Sequence, residues 1–205
     1  MNNFFSTEGK YYKFSATLAD ILIIGFLWTI FSLGIITIGA STTAMYYVCT
    51  KKVSKIDGYL FKDFIKSFKE NFLQSTAIFF IILAALYIIW LNFSILNVTN
   101  ESNISIIVYI ALYFVLIQIV FICVYIFPIL SRFRLTIFGT LKSAFFMANA
   151  NVPITIANLL LFVICTFVSW LFPVFIIFIV GLYIYISSYS FVKIFKKHNP
   201  DFDKQ

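Results

Sequence analysis

Apolar residues form long uninterrupted runs along this chain instead of alternating with polar residues. Five runs reach or approach the roughly 18–20 residues that a helix needs to cross the hydrocarbon core of a bilayer. They predict transmembrane helices over 18–38, 77–96, 104–127, 154–171 and 174–192. The last four runs contain no Lys, Arg, Asp or Glu. Because a charge at mid-bilayer costs about 2.5–3.5 kcal/mol on the insertion scale, their absence favours spanning helices.

Only Phe172 and Pro173 separate the last two runs, with no polar loop between them. A single helix of about 39 residues would far exceed the thickness of the bilayer. Proline also disfavours helical geometry in the residue before it. We therefore expect a tight turn near Trp170, whose amphipathic ring is favoured at a membrane interface.

The segments between the runs predict three shorter helices at the cytoplasmic surface, over about 42–53, 60–74 and 136–149. The clearest is 60–74, where aromatic and aliphatic residues recur at three- and four-residue spacing and charged residues fill the other face. This pattern is typical of an amphipathic helix in the membrane interface. Its apolar positions are Phe61, Phe64, Ile65, Phe68 and Phe72. Lys66-Ser67 and Lys142-Ser143 occupy similar places in the second and third helices, which suggests a unit repeated twice.

Basic residues set the expected orientation. The net charge is +7, and Lys and Arg cluster after the first run, after the third run and after the fifth run. The positive-inside rule places these segments, and the C-terminus, in the cytoplasm. With five crossings the N-terminus would lie outside. If the first run enters and leaves on the same face, both ends are cytoplasmic.

Composition supports a single all-α membrane domain over 1–205. Hydrophobic residues make up 62% of the chain and charged residues 11%, whereas a soluble domain carries about a quarter charged residues. The apolar surface therefore needs a lipid bilayer as its partner, in a cell membrane. The distribution of the basic residues between apolar runs argues against nucleic-acid binding.

Polar residues inside the spans are the candidate site. In the predicted topology they lie between the midplane and the inner leaflet, where they could form a polar pocket open to the cytoplasm. The alternative, which we favour, is hydrogen bonding between helices. Asp20, the one acidic residue near a span, is expected at a helix end. The pocket candidates are Thr29, Ser32, Gln118, Asn158, Ser187 and Ser188.

Catalytic signatures do not emerge from the sequence. It has no Walker A loop, dinucleotide glycine pattern or metal-ligand spacing, and no pair of acidic residues lies within a span. We expect no enzyme activity, no cofactor and no metal.

Several motifs resemble the YesL-like family, small multi-pass membrane proteins of Gram-positive bacteria that form a domain of unknown function. The resemblance centres on the block from Ile36 to Val48, and above all on Gly39-Ala40-Ser41-Thr42-Thr43. Further similar segments are Gly58-Tyr59, Phe61-Lys62-Asp63-Phe64, Lys66-Ser67-Phe68-Lys69, Asn71-Phe72 and Phe127-Pro128-Ile129-Leu130-Ser131-Arg132-Phe133. The chain departs from the family at Leu33-Gly34, where many members have a proline.

The resemblance implies a role but no chemistry. Genes of the family often lie among those for carbohydrate uptake and breakdown. This implies a non-enzymatic accessory to carbohydrate uptake or sensing, with a sugar transporter or sensor subunit as the partner. The residues themselves indicate an alternative to the accessory role, a small solute transporter or channel built around the polar pocket. Transporters are often assembled from repeats.

Overall fold

The structure is a computed structural model that describes residues 10–99 and 103–199. Within these ranges the chain is all α, with seven α-helices, two short 3-10 turns and no strand. The helices are α1 (Lys10–Phe31), α2 (Ile38–Val53), α3 (Leu60–Thr99), α4 (Asn103–Arg132), α5 (Ile137–Ala150), α6 (Val152–Leu171) and α7 (Ile176–His198).

Four helices are long and apolar enough to cross a membrane: α3, α4, α6 and α7. The all-α prediction is confirmed. Helices α3, α4 and α6 contain the predicted spans 77–96, 104–127 and 154–171, and α7 covers the predicted span 174–192 from Ile176 onward. The 3-10 turn Pro173–Phe175 separates the last two, as the proline predicts. The first predicted span, 18–38, is not one continuous helix in the structure. The apolar helical segment there is the shorter Ser15–Phe31.

The first apolar run contains a turn that its hydropathy does not reveal. Helix α1 ends at Phe31, and the Thr37 hydroxyl donates to the carbonyl oxygens of Phe31 at 2.6 Å and of Gly34 at 2.5 Å. These bonds satisfy carbonyls that the end of a helix leaves open. The turn lies at Leu33-Gly34, where the sequence departs from the family pattern. Helix α2 then begins at Ile38, so Gly39 lies inside it.

Helix α3 joins two elements that the sequence analysis kept apart. The predicted surface helix 60–74 and the span 77–96 form one continuous helix of 40 residues. The polar residues between them include no glycine or proline, so nothing interrupts the backbone. The apolar face of the first half packs on the protein: Phe64 is fully buried, and the Phe31 ring contacts those of Phe64 and Phe68.

The predicted surface helix 136–149 and the span 154–171 remain two separate helices, unlike 60–74 and 77–96, which form α3. Helix α5 ends at Ala150 and α6 begins at Val152, with Pro153 in its first turn. Proline fits there because the first amides of a helix have no partner within it. Buried Asn151 links the two helices, accepting from Thr155 N at 3.0 Å and donating through its own N to Met147 O at 3.1 Å.

Helix α2 is the centre of the bundle and contacts α1, α3, α4 and α7. We expected a short helix from Thr42 at the inner surface or under the bundle. Instead ten of its 16 residues are buried. Its Ala44, Met45 and Cys49 join the hydrophobic core with residues from α1, α3, α4 and α7.

Two glycines set the direction of α1 against α7. A Cβ atom at Gly181 would lie 2.6 Å from Ile21 O, and one at Gly25 would overlap Ile177 O. This pairing makes α1 and α7 antiparallel, so α1 begins at the same end of the molecule at which α7 finishes. Within the described residues, the start of α1 at Lys10 and the end of α7 at His198 therefore lie on the same side of the bundle, unlike in the arrangement with five crossings. The physical reason is that α1 turns back at Ser32–Gly34.

Candidate functional site

The six predicted pocket residues do not bond to one another. Four of them donate to carbonyls of their own helices: Thr29 to Gly25 O at 2.9 Å, Asn158 to Ile154 O at 2.9 Å, and Ser187 and Ser188 to Ile184 O at 3.0 and 2.7 Å. Such bonds satisfy polar groups without opening a cavity. Within the described residues, no hydrogen bond joins any of the six to another.

Ser187 also contacts a second helix, and the two remaining pocket residues, Ser32 and Gln118, have no such bond among the described residues. Ser187 lies beside α2, where its hydroxyl is 3.2 Å from the Tyr46 hydroxyl. Both residues are buried, so this contact joins α7 to the central helix. Ser32 Oγ and Gln118 Nε2 are buried atoms without a hydrogen-bond partner in the part of the chain that the structure describes.

The Gly39–Thr43 motif packs helices against one another. A Cβ atom at Gly39 would lie 2.8 Å from Ser75 O, so glycine permits the close approach of α2 to α3. Thr43 Oγ1 lies 3.0 Å from Ser75 Oγ across the same contact. On the other side, Trp28 Nε1 donates to Thr42 Oγ1 at 3.1 Å and joins α1 to α2. Small and hydroxyl residues are the usual means of close helix packing in membranes.

The charged side chains of the described chain gather at one end, which we call the basic end. It comprises the start of α1, the end of α2, the start of α3, the end of α4, helix α5 and the end of α7. At the other end, the described connections 32–37 and 172–175 contain no charged residue. The basic residues of this end whose side chains the structure describes are Lys51, Lys52, Lys55, Lys62, Lys66, Lys69, Arg132, Arg134, Lys142, Lys193, Lys196 and Lys197.

Two ion pairs connect the central helix to its neighbours at this end. Lys51 Nζ lies 2.8 Å from Asp63 Oδ2 on α3, and Lys52 pairs with Asp20 on α1. The expectation that Asp20 lies at a helix end is wrong, because it lies in the middle of α1 and the ion pair with Lys52 supplies its partner. Burial lowers the pKa of the Lys52 ammonium, because desolvation disfavours the charged form, while the neighbouring carboxylate acts in the opposite direction.

A cavity of about 520 Å³ opens between α2, α3 and the connection that follows α4. Its volume lies within the range of about 300–1,000 Å³ that is usual for ligand pockets. We call it the basic-end cavity. It is lined by Tyr47, Lys66, Ser67, Glu70, Asn71 and the stretch Leu130–Leu135. None of the six predicted pocket residues lines it.

Sequence reasoning missed this cavity, although a signal for it exists. Both segments that form its walls, Lys66-Ser67 with Asn71 and Leu130–Phe133, belong to the motifs that carried the family resemblance. The repeated dipeptide was a second hint. Lys142-Ser143 lines a smaller cavity of about 280 Å³, also at the basic end. What the sequence could not show is that α2 carries Tyr47 to the same place.

Comparison with protein families finds one match: residues 21–93 match the family described as "Protein of unknown function, DUF624". The matched segment covers half of α1, all of α2 and most of α3, and therefore the contact at Gly39. Neither curated proteins nor solved structures give a match. The four long apolar helices fit a membrane protein, and the segment 21–93 is similar to an uncharacterised domain family.

Proposed function

We propose that the chain is a non-enzymatic accessory protein of carbohydrate uptake or sensing, with the basic end in the cytoplasm. The observation that carries this proposal is the separation of a closely packed interior from a charged, pocketed end. Polar residues of the interior donate hydrogen bonds to carbonyls of their own helices or join α2 to its neighbours. The resemblance to the YesL-like family supplies the link to carbohydrate uptake, and the positive-inside rule supplies the orientation.

The basic end also offers apolar side chains to a protein partner. Leu73 on α3 is 82% exposed and Phe138 on α5 is 77% exposed. Both stand beside charged residues, and exposed apolar groups within a polar rim are typical of interaction surfaces. A transporter or sensor subunit would bind across α3 and α5 in this proposal.

Crosslinking in the native membrane tests the partnership. A photoreactive residue at Leu73 or Phe138 should capture a sugar-transporter or sensor subunit, whereas one at Val163 should capture none. Val163 is a suitable control because it is 61% exposed within the apolar span α6. Labelling at all three positions alike, or recovery of the chain without such a subunit from each, would refute the accessory role.

Gln118 is the observation that favours a second candidate, the small solute transporter or channel. Its amide nitrogen is buried in the middle of α4 without a hydrogen-bond partner among the described residues, and polar groups at membrane depth are costly unless they serve a purpose. In proteoliposomes, solute flux that Gln118→Leu abolishes without reducing folded yield would favour the transporter. No flux from the unaltered protein would remove this candidate.

A further inference from the structure

The basic-end cavity carries an excess of positive charge. Three cationic side chains line it, Lys66 from α3 and Arg132 and Arg134 from the end of α4, against a single carboxylate, Glu70. Glu70 Oε2 lies 3.6 Å from Arg134 Nη2 and offsets only part of that charge. An anion is therefore the ligand that this lining favours.

Arg132 is held in place before any ligand arrives. Its Nε donates to Thr50 Oγ1 at 2.8 Å, and its guanidinium lies 5.3 Å from the centre of the Tyr47 ring. Thr50 is fully buried, and its hydroxyl also donates to Tyr46 O at 2.7 Å. A guanidinium fixed in this way loses little entropy on binding, and its planar fork matches the oxygens of phosphate.

Hydrogen bonds hold the uncharged polar part of the lining and the two segments that form the walls. The Asn71 amide donates to Ser67 O at 3.0 Å, and Gln74 Nε2 donates to Leu135 O at 2.6 Å, which joins α3 to the connection after α4. Hydroxyl, amide and cationic donors thus surround one space. Phosphate, with more acceptor oxygens and more charge than a carboxylate, can use all three kinds of donor.

We propose that the basic-end cavity binds a phosphate-bearing anion, with Lys66, Arg132 and Arg134 as the charged contacts. The phosphate has two chemical sources, the headgroup of an anionic phospholipid and a free phosphorylated solute. Basic pockets between helices at the cytoplasmic face suit anionic headgroups, and the open cavity admits a small solute equally well. This proposal does not depend on the accessory role.

The experiment uses the full chain in phosphatidylcholine nanodiscs and follows its thermal midpoint. One arm adds glycerol phosphate in solution, and a second arm replaces part of the lipid with phosphatidylglycerol. A ligand that binds the folded state raises the midpoint. A rise only in the first arm identifies a free solute, and a rise only in the second identifies a headgroup.

Matched variants separate the site from general charge. Lys66→Gln with Arg134→Gln should weaken the apparent affinity about tenfold or more, because two charge-assisted hydrogen bonds are lost. Lys62→Gln with Lys69→Gln removes the same charge from exposed positions of α3 outside the cavity and should change affinity little. Glu70→Gln should tighten binding, because it removes the competing carboxylate. No rise in either arm, or equal loss in both double variants, would overturn the proposal.

Discussion

Helices α2 and α6 show that hydropathy and burial run in opposite directions in this protein. Helix α2 is rich in small and hydroxyl residues, and ten of its 16 residues are buried. Helix α6 has 20 residues and is strongly apolar, yet the buried ones are Thr155 and Asn158. Its exposed side chains are large and apolar, among them Phe162, Val163, Ile164 and Phe167.

A lipid solvent explains this inversion. In water, apolar residues are driven inside, but acyl chains solvate them as well as a protein core does. What distinguishes the interior is then close packing and hydrogen bonding, for which small and hydroxyl side chains are suited. Of the two helices, the more apolar α6 faces lipid and the less apolar α2 forms the core.

The largest expected effect is at the contact between α2 and α3. Gly39→Leu should destabilise the protein by about 3 kcal/mol, since overpacking a close contact costs about 1–3 kcal/mol and sometimes more. Gly34→Leu, in the exposed turn before α2, is the control and should cost far less. Unfolding in mixed detergent micelles measures both. Equal losses would mean that α2 does not approach α3 as closely as described.

The second-largest loss of stability is expected when the core residue Met45 is truncated. Met45→Ala removes a fully buried side chain of α2. It should lower the free energy of unfolding by about 2 kcal/mol, near the lower limit for such changes. The loss is small for a core residue because the unfolded chain keeps this side chain in an apolar solvent. Leu160→Ala on α6, where the side chain is 59% exposed, should change stability by less than about 0.5 kcal/mol. The same unfolding assay measures the pair, and a larger loss at Leu160 would reverse the comparison.

The hydrogen bond between Thr43 and Ser75 should give the smallest effect. A double-mutant cycle with Thr43→Val and Ser75→Ala should yield a coupling of about 0.6 kcal/mol, the average for such bonds between membrane helices. The cycle isolates the pair from the bond that Thr43 makes to Gly39 O. Additive losses, with no coupling, would show that the two hydroxyls do not interact.

Hydropathy was sufficient to predict the four long helices, because uninterrupted apolar runs report contact with lipid. Hydropathy failed to predict where helices begin and end, because an apolar run can contain a turn and a polar segment can continue a helix. The run 18–38 contains no charged residue after Asp20, so its hydropathy did not indicate the turn at Ser32–Gly34. Gln74, Ser75 and Thr76 resemble a boundary by polarity, yet they continue α3 without a break.

The candidate site was less predictable than the fold. Single polar residues in the spans attract attention because they are rare there, but the structure gives most of them local partners. The cavity instead needs Tyr47, Lys66 and Arg132 from three helices. Their convergence depends on α2 lying at the centre, and neither charge nor spacing predicts that arrangement.

Accessibility of spin labels along α2 and α6 tests the inversion most directly. In a lipid bilayer, labels at successive positions of α6 from Leu160 to Phe167 should collide with oxygen, which dissolves in acyl chains, over most of the helix surface. Labels from Ala40 to Cys49 on α2 should be shielded from both oxygen and a water-soluble nickel reagent. Strong oxygen collision along α2, or shielding along α6, would contradict the account.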